Sequence, residues 1–275
     1  MTDTFPLALI RATFVGDNAE GLLRDALRGA KGLGARLAVL PELPLNEWTP
    51  ATRVARDEDA EDPGGGREQI QSRAAADAGL ALVGGAIQRD ADRTRYNTAL
   101  VFDERGQLRA RYRKAHLPHE AGFFEDDHYA PGDAAPERID GFGMPFGVQI
   151  CSDVNRPEGT HLLAALGAEL VVAPRATEAA SWPRWRMVLR ANALTSCCFV
   201  ASVTRPGPER GVAIGGPSFV AGPDGEVLVE TEAEMCVVPL ERRSLATARE
   251  QYPGYLAVRP ELYADGWGNA RDAGG

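Results

Sequence analysis

Short, mostly apolar runs recur along the chain at residues 5–14, 37–40, 80–88, 144–150, 170–173, 198–203 and 235–240. Runs of this length, bounded by glycine, proline or acidic turns, predict strands. The wholly apolar stretch 37–40 predicts one buried on both faces. Between the runs the spacing turns helical. Leu22, Leu23, Ala26 and Leu27 share one face of a helix that Asp17 or Asn18 could cap, that runs to about Lys31, and that Gly32 and Gly34 end. Further helices are expected at about 67–78, 158–166 and 182–194. Residues 96–102 and 108–112 flank Asp103-Glu104-Arg105-Gly106-Gln107 as a hairpin, and residues 217–220 and 226–230 flank Ala221-Gly222-Pro223-Asp224-Gly225 as a second. Beyond Glu241 the tail reads as helical, then irregular around Pro253 and Pro260.

This order describes two β-α-β-α-β-β halves. Two such sheets face to face, with helices outside, make an α/β fold of the four-layer α-β-β-α sandwich type. No linker divides the chain, so residues 1–275 are expected to form one domain, with the tail from about 241 onward joining copies of the chain. The acidic, glycine-rich residues 56–66 read as an excursion from that domain.

Composition narrows the function classes. A net charge of −9 argues against a nucleic-acid or anionic-membrane surface, since both need basic patches. The first residues lack the basic and apolar regions of a signal peptide, and no apolar stretch reaches the ~18–20 residues of a membrane span. Cys151, Cys197, Cys198 and Cys236 show neither metal-ligand nor disulfide spacing, which fits a reducing cytoplasm. His116 and His119 flank a proline-containing loop and make no metal motif with His128 or His161.

Three residues suggest chemistry. Cys151 ends an apolar run just before a helix, where a nucleophile is exposed near backbone N–H donors; the Ser152 N–H could be one of them. Glu42 follows the buried strand at 37–40 between two prolines, where partial desolvation would suit it to proton transfer. Lys114 follows the strand at 108–112 and could stabilise an oxyanion. Taken singly, the commoner fates are a buried thiol, a solvated glutamate and a surface lysine. Taken together, all three stand just after strands, at the end of an α/β sheet where ligands bind.

Leu-Pro-Glu-Leu at 40–43, Tyr-Arg-Lys-Ala-His-Leu-Pro at 112–118, and Cys-Ser-Asp at 151–153 with Pro157-Glu158 resemble the nitrilase superfamily, the carbon–nitrogen hydrolases, in its amidase-like and carbamoylase-like branches. Tyr129-Ala130-Pro131-Gly132-Asp133, Gly215-Gly216-Pro217-Ser218 and Arg259-Pro260-Glu261-Leu262-Tyr263 extend the resemblance over nearly the whole chain. It implies the α-β-β-α sandwich, no metal or cofactor, and homodimers or higher homo-oligomers. It also implies a Glu-Lys-Cys triad: Glu42 as general base, Lys114 as oxyanion stabiliser and Cys151 as nucleophile. Glu125 best matches a second family glutamate, with Glu120 the runner-up. The implied activity is hydrolysis of a small amide or N-carbamoyl compound through a cysteine thioester. The alternatives are nitrile hydrolysis by the same triad, or a non-catalytic interaction module on the same fold.

Three departures bear on the substrate. Arg156 stands where many members have an aromatic residue, and could pair with a substrate carboxylate or with Glu158. Arg175 and Thr177 would make a pocket-bordering loop more polar, unless Arg175 turns outward. Ala193 and Leu194 replace a frequent Glu-Asn pair.

Overall fold

The computed structural model describes residues 3–273. The first half runs β1 (Thr4–Ile10), α1 (Ala19–Gly32), β2 (Leu37–Val39), α2 (Gly66–Ala78), β3 (Ala81–Arg89), β4 (Arg95–Phe102) and β5 (Leu108–Arg113). A small hairpin follows, β6 (His119–Glu120) with β7 (Phe123–Phe124). The second half runs β8 (Phe146–Val148), α3 (Pro157–Ala165), β9 (Leu170–Arg175), α4 (Trp182–Ser196), β10 (Phe199–Thr204), β11 (Ser218–Ala221) and β12 (Val227–Thr231). β13 (Met235–Glu241), α5 (Arg242–Glu250) and α6 (Pro260–Ala273) complete the described chain.

The strands form two main sheets, in the orders β13-β1-β2-β3-β4-β5 and β12-β11-β10-β9-β8. Between them lies a core of Phe5, Leu7, Leu9, Val83, Phe146, Val148, Leu170, Val172, Phe199 and Val203. Leu23, Leu27 and Ala30 of α1 and Ala74 and Ala75 of α2 cover the outer face of the first sheet. Leu163 of α3 and Leu189 and Ala193 of α4 cover the outer face of the second. These are the four layers expected from the element order. β13 departs from two independent halves: it crosses back to pair antiparallel with β1, from Thr4 opposite Glu241 to Ile10 opposite Met235.

Four segments differ from expectation: the strand expected over 5–14 ends at Ile10, the β6–β7 hairpin is not foreseen by the apolar pattern, and the other two lie after Pro260 and around Cys151. Residues expected to be irregular after Pro260 form α6, with Pro260 at its first position, where its fixed φ and missing N–H are tolerated. The strand expected over 144–150 shortens to Phe146–Val148, and a 3₁₀ turn, Cys151–Asn155, precedes α3. Asp153 explains the turn: its carboxylate accepts the Ile150 N–H at 3.0 Å, bending the chain back on itself.

Candidate active site

β1, β2 and β3 run parallel, as do β8, β9 and β10. Two antiparallel steps, β3 to β4 and β4 to β5, restore the original direction, so β5 ends on the same side as β2. The carboxyl ends of β2 and β5 in one sheet, and of β8 and β9 in the other, therefore deliver Glu42, Lys114, Cys151 and Ala176 to one end of the sandwich.

The ionisable groups there are almost completely desolvated. Lys114 Nζ donates to Glu42 Oε1 at 2.8 Å and to both Glu125 oxygens at 2.6 and 2.7 Å, with all three side chains fully buried. Asn97 Nδ2 also donates to Glu42 Oε1, at 2.7 Å, and the Ala176 N–H donates to Glu42 Oε2 at 2.9 Å. The Cys151 thiol donates to the Ala176 carbonyl at 3.5 Å, so one residue holds both the carboxylate and the thiol.

Burial alone would disfavour charge on Lys114, but Glu125 and Glu42 outweigh it and hold the ammonium well above the usual lysine range. Burial pushes the Glu125 carboxyl up to about 8, with Glu42 adding to the rise and Lys114 opposing it. The Cys151 thiol is pushed well above its ordinary value by burial and by Glu42, against the pull of Lys114. Both effects favour the neutral thiol, which has the Ala176 carbonyl as its acceptor.

Cys151 has φ +47°, a left-handed conformation that costs a non-glycine residue of order 1 kcal/mol or more. A buried carboxylate holds it there. Asp153 Oδ1 accepts the N–H groups of Ala115 and His116 at 3.1 and 2.9 Å and meets His116 Nδ1 at 2.9 Å. Its Oδ2 accepts the Tyr112 hydroxyl at 2.9 Å as well as the Ile150 N–H. Asp153 thus ties the thiol turn to the lysine loop, and the Ser152 hydroxyl adds a bond to the His116 carbonyl.

A cavity of about 610 Å³ opens above the thiol, lined by Cys151, Ser152, Phe123, Thr177, Arg184 and Trp185 among others. Glu120 is an exposed part of its wall, whereas Glu125 lies beneath, on Lys114. The two arginines expected at the substrate are placed elsewhere. Arg156 is exposed at the start of α3, outside the cavity lining, and has no ion pair with Glu158 or any other group among the described residues. Arg175 is buried on the helix side of the second sheet. It donates to Ser202 Oγ at 3.2 Å and to the Pro217 carbonyl, and its guanidinium lies 4.8 Å from the Trp182 ring centre. The reason is strand parity: Leu170 and Val172 face the inter-sheet core, so Val171, Ala173 and Arg175 face α4. Sequence reasoning missed Asn97, Ala176 and Arg184, and left Asp153 without a role, because their importance comes from contacts distant in the chain: Asn97 and Ala176 reach Glu42 across 55 and 134 residues, and Asp153 reaches residues 112–116 across 37 to 41.

Among the described residues, no helix is long and apolar enough to cross a membrane. His119, Asp126 and Asp127 lie close together on the surface, but His119 is bonded to Asp126 and Arg53 pairs with Asp127.

Residues 17–250 match the carbon-nitrogen hydrolase family model. The human omega-amidase NIT2 is 30% identical, over 95% of this chain and 97% of its own length. An amidase variant from Nesterenkonia sp. AN1, carrying the acetamide moiety of fluoroacetamide on its active-site cysteine, superposes with a TM-score of 0.78 at 27% identity, covering 96% of this chain and 98% of that one. A carbon-nitrogen hydrolase from Helicobacter pylori G27 shares the fold, with a TM-score of 0.85 at 22% identity over 95% and 98% of the two chains.

Proposed function

The chain belongs to the carbon–nitrogen hydrolase family and cleaves amide carbon–nitrogen bonds, and from that premise we propose that Cys151 is its nucleophile, Glu42 its general base, Lys114 its oxyanion stabiliser and Glu125 the residue that orients Lys114. The observation that carries this assignment is the buried contact of Glu42, Lys114 and Glu125 beside a strained, neutral thiol at the foot of a cavity. Such grouping of perturbed, desolvated groups in a cleft supports catalysis over structure.

The chemistry follows from the placement. As Cys151 Sγ attacks the amide carbon, its proton passes to the Glu42 carboxylate, so the thiolate never stands free in the buried site. The carbonyl oxygen becomes an oxyanion held by Lys114 Nζ and the Ser152 N–H, an early N–H of a 3₁₀ turn that lacks an intrahelical acceptor. Collapse breaks the carbon–nitrogen bond, and Glu42 returns the proton to the departing ammonia or amine. Water, deprotonated by Glu42, then attacks the thioester and releases the carboxylic acid and the thiol.

The substrate is a small amide carrying its own carboxylate. Two observations support this: the relatives named omega-amidase, and Arg184, an arginine of the cavity wall with no ion pair among the described residues. Arg184 thus takes the part expected of Arg156 and Arg175. The protein works in the cytoplasm, where its four free cysteines stay reduced. It works as a homodimer built through the tail, where Tyr252, Tyr255, Leu256, Leu262, Tyr263 and Trp267 expose apolar surface.

A screen of small amides, ω-amido acids, N-carbamoyl amino acids and nitriles for ammonia release tests the class. With the best substrate, Cys151→Ala lowers kcat by about 10,000-fold or more while the protein stays folded. Substantial turnover by folded Cys151→Ala would sink the mechanism. Arg184→Ala raises KM for the carboxylated substrate and leaves neutral amides unchanged; an equal effect on both removes Arg184 from substrate recognition.

A further inference from the structure

Arg205 is the residue directly after β10, and its side chain is fully buried. It points across the molecule into the loop that carries Glu42. Nη1 donates to the Glu42 carbonyl at 2.9 Å and the Leu43 carbonyl at 2.7 Å, and Nη2 to the Asn46 carbonyl at 2.9 Å. Glu209 holds the other side of the guanidinium, accepting Nε at 3.0 Å and Nη2 at 2.7 and 2.6 Å. The same carboxylate accepts the Trp48 N–H at 2.6 Å, so it grips the Glu42 loop at a second point.

The backbone at Leu43 shows what this grip does. In extended chain, successive carbonyls point to opposite sides. Leu43 has φ +50°, a left-handed turn unusual for a branched residue, and that turn lets the carbonyls of residues 42 and 43 converge on one donor. A planar, permanently charged fork can bind three carbonyls and one carboxylate at once; an ammonium on a flexible stem cannot reproduce that geometry.

We propose that Arg205, oriented by Glu209, is a positioning residue for the general base: it fixes the backbone of Glu42 in the strained turn that aims its carboxylate between Lys114 Nζ and the Ala176 N–H. It touches no reacting atom. The proposal rests on the reading of Glu42 as the base. It also gives the second half of the chain a direct hold on a catalytic group of the first half.

The test uses the full-length enzyme and the best small amide from the ammonia-release screen. R205K and E209Q are each measured for kcat, KM and the pH dependence of kcat/KM, alone and in an E42Q background. A misplacement of the base by a fraction of an ångström to 1 Å lowers kcat by about 10- to 100-fold with KM little changed. Either substitution added to E42Q then costs almost nothing more, because the base it positions is already lost. If E42Q is inactive while E209Q and folded R205K keep wild-type kcat, the clamp is wrong and the base assignment stands. If E42Q itself keeps turnover, the base assignment fails first. A loss carried by KM alone, or an equal further loss in the E42Q background, overturns the positioning role. Should R205K fail to fold, E209Q decides, since Glu209 is partly exposed and its amide retains the shape of the side chain.

Discussion

Lys114 sits between two carboxyl groups in a site closed to water, so any change to one of the three is felt by the others. Lys114→Met removes the proposed oxyanion donor and leaves Glu42 and Glu125 facing each other without their cation. The first effect lowers kcat by about 100- to 1,000-fold. The second destabilises the fold by about 3–5 kcal/mol, measurable by denaturant unfolding. Glu125 makes stability depend on pH. Its pKa rises from the usual glutamate value to about 8, so the folded protein keeps a proton that the unfolded chain has released. That contribution is fully present below about pH 4.5 and is lost as pH rises through about 8. Glu125→Gln, which cannot titrate, flattens the decline in unfolding free energy between about pH 5 and pH 8. An unchanged slope would mean that Glu125 is ionised across that range. The residue types of this site were readable from the chain, because Glu42, Lys114 and Cys151 each follow a strand. Their burial was not readable. Local sequence assigns Glu42 and Lys114 to solvent, and only two sheets closing over them remove the water.

At the level of elements, the turn that carries Cys151, the proposed nucleophile, depends on how closely α3 packs on β8. A Cβ placed on Gly147 would meet Leu163 at 2.4 and 2.5 Å, so glycine is what lets the helix lie against the strand that leads into Cys151. Gly147→Ala costs about 1–3 kcal/mol and lowers activity by pushing the turn out of line. Leu163→Ala alone costs about 2–5 kcal/mol, since that side chain is fully buried. Together they lose less than the sum, because the second change makes room for the first; strict additivity in urea unfolding would exclude the contact. Element identity and order followed from the apolar rhythm, with ends displaced by a few residues. The tail is the larger departure. Pro260 suggests irregular chain, yet proline fits the first turn of α6, so it starts the helix it was expected to prevent.

For the whole molecule, the apolar residues of the tail predict the state of assembly. For the proposed homodimer, ending the chain before α6, or replacing Trp267 with glutamate, shifts the sedimenting species toward monomer; a variant that stays dimeric would place the interface elsewhere. The candidate site is assembled from both halves. Glu42, Asn97 and Lys114 come from the first half, and Cys151, Asp153 and Ala176 from the second, with Glu125 from the connection between them. The sequence by itself determined the order of strands and helices, the layered class that this order permits, and the three chemical groups at strand ends. Those follow from local periodicity and from side-chain identity, which need no knowledge of neighbours. Only the tertiary structure decided which way Arg175 points. β9 is apolar on both faces, so its pattern carries no parity and cannot say which face its last residue takes. Only the tertiary structure showed what Asp153 and Arg205 bind, because most of their partners lie far along the chain: Arg205 binds carbonyls as many as 163 residues away. It also decided that the Cys151 thiol is pushed above its ordinary range, since the cost of charge there is set by how completely the two sheets exclude water.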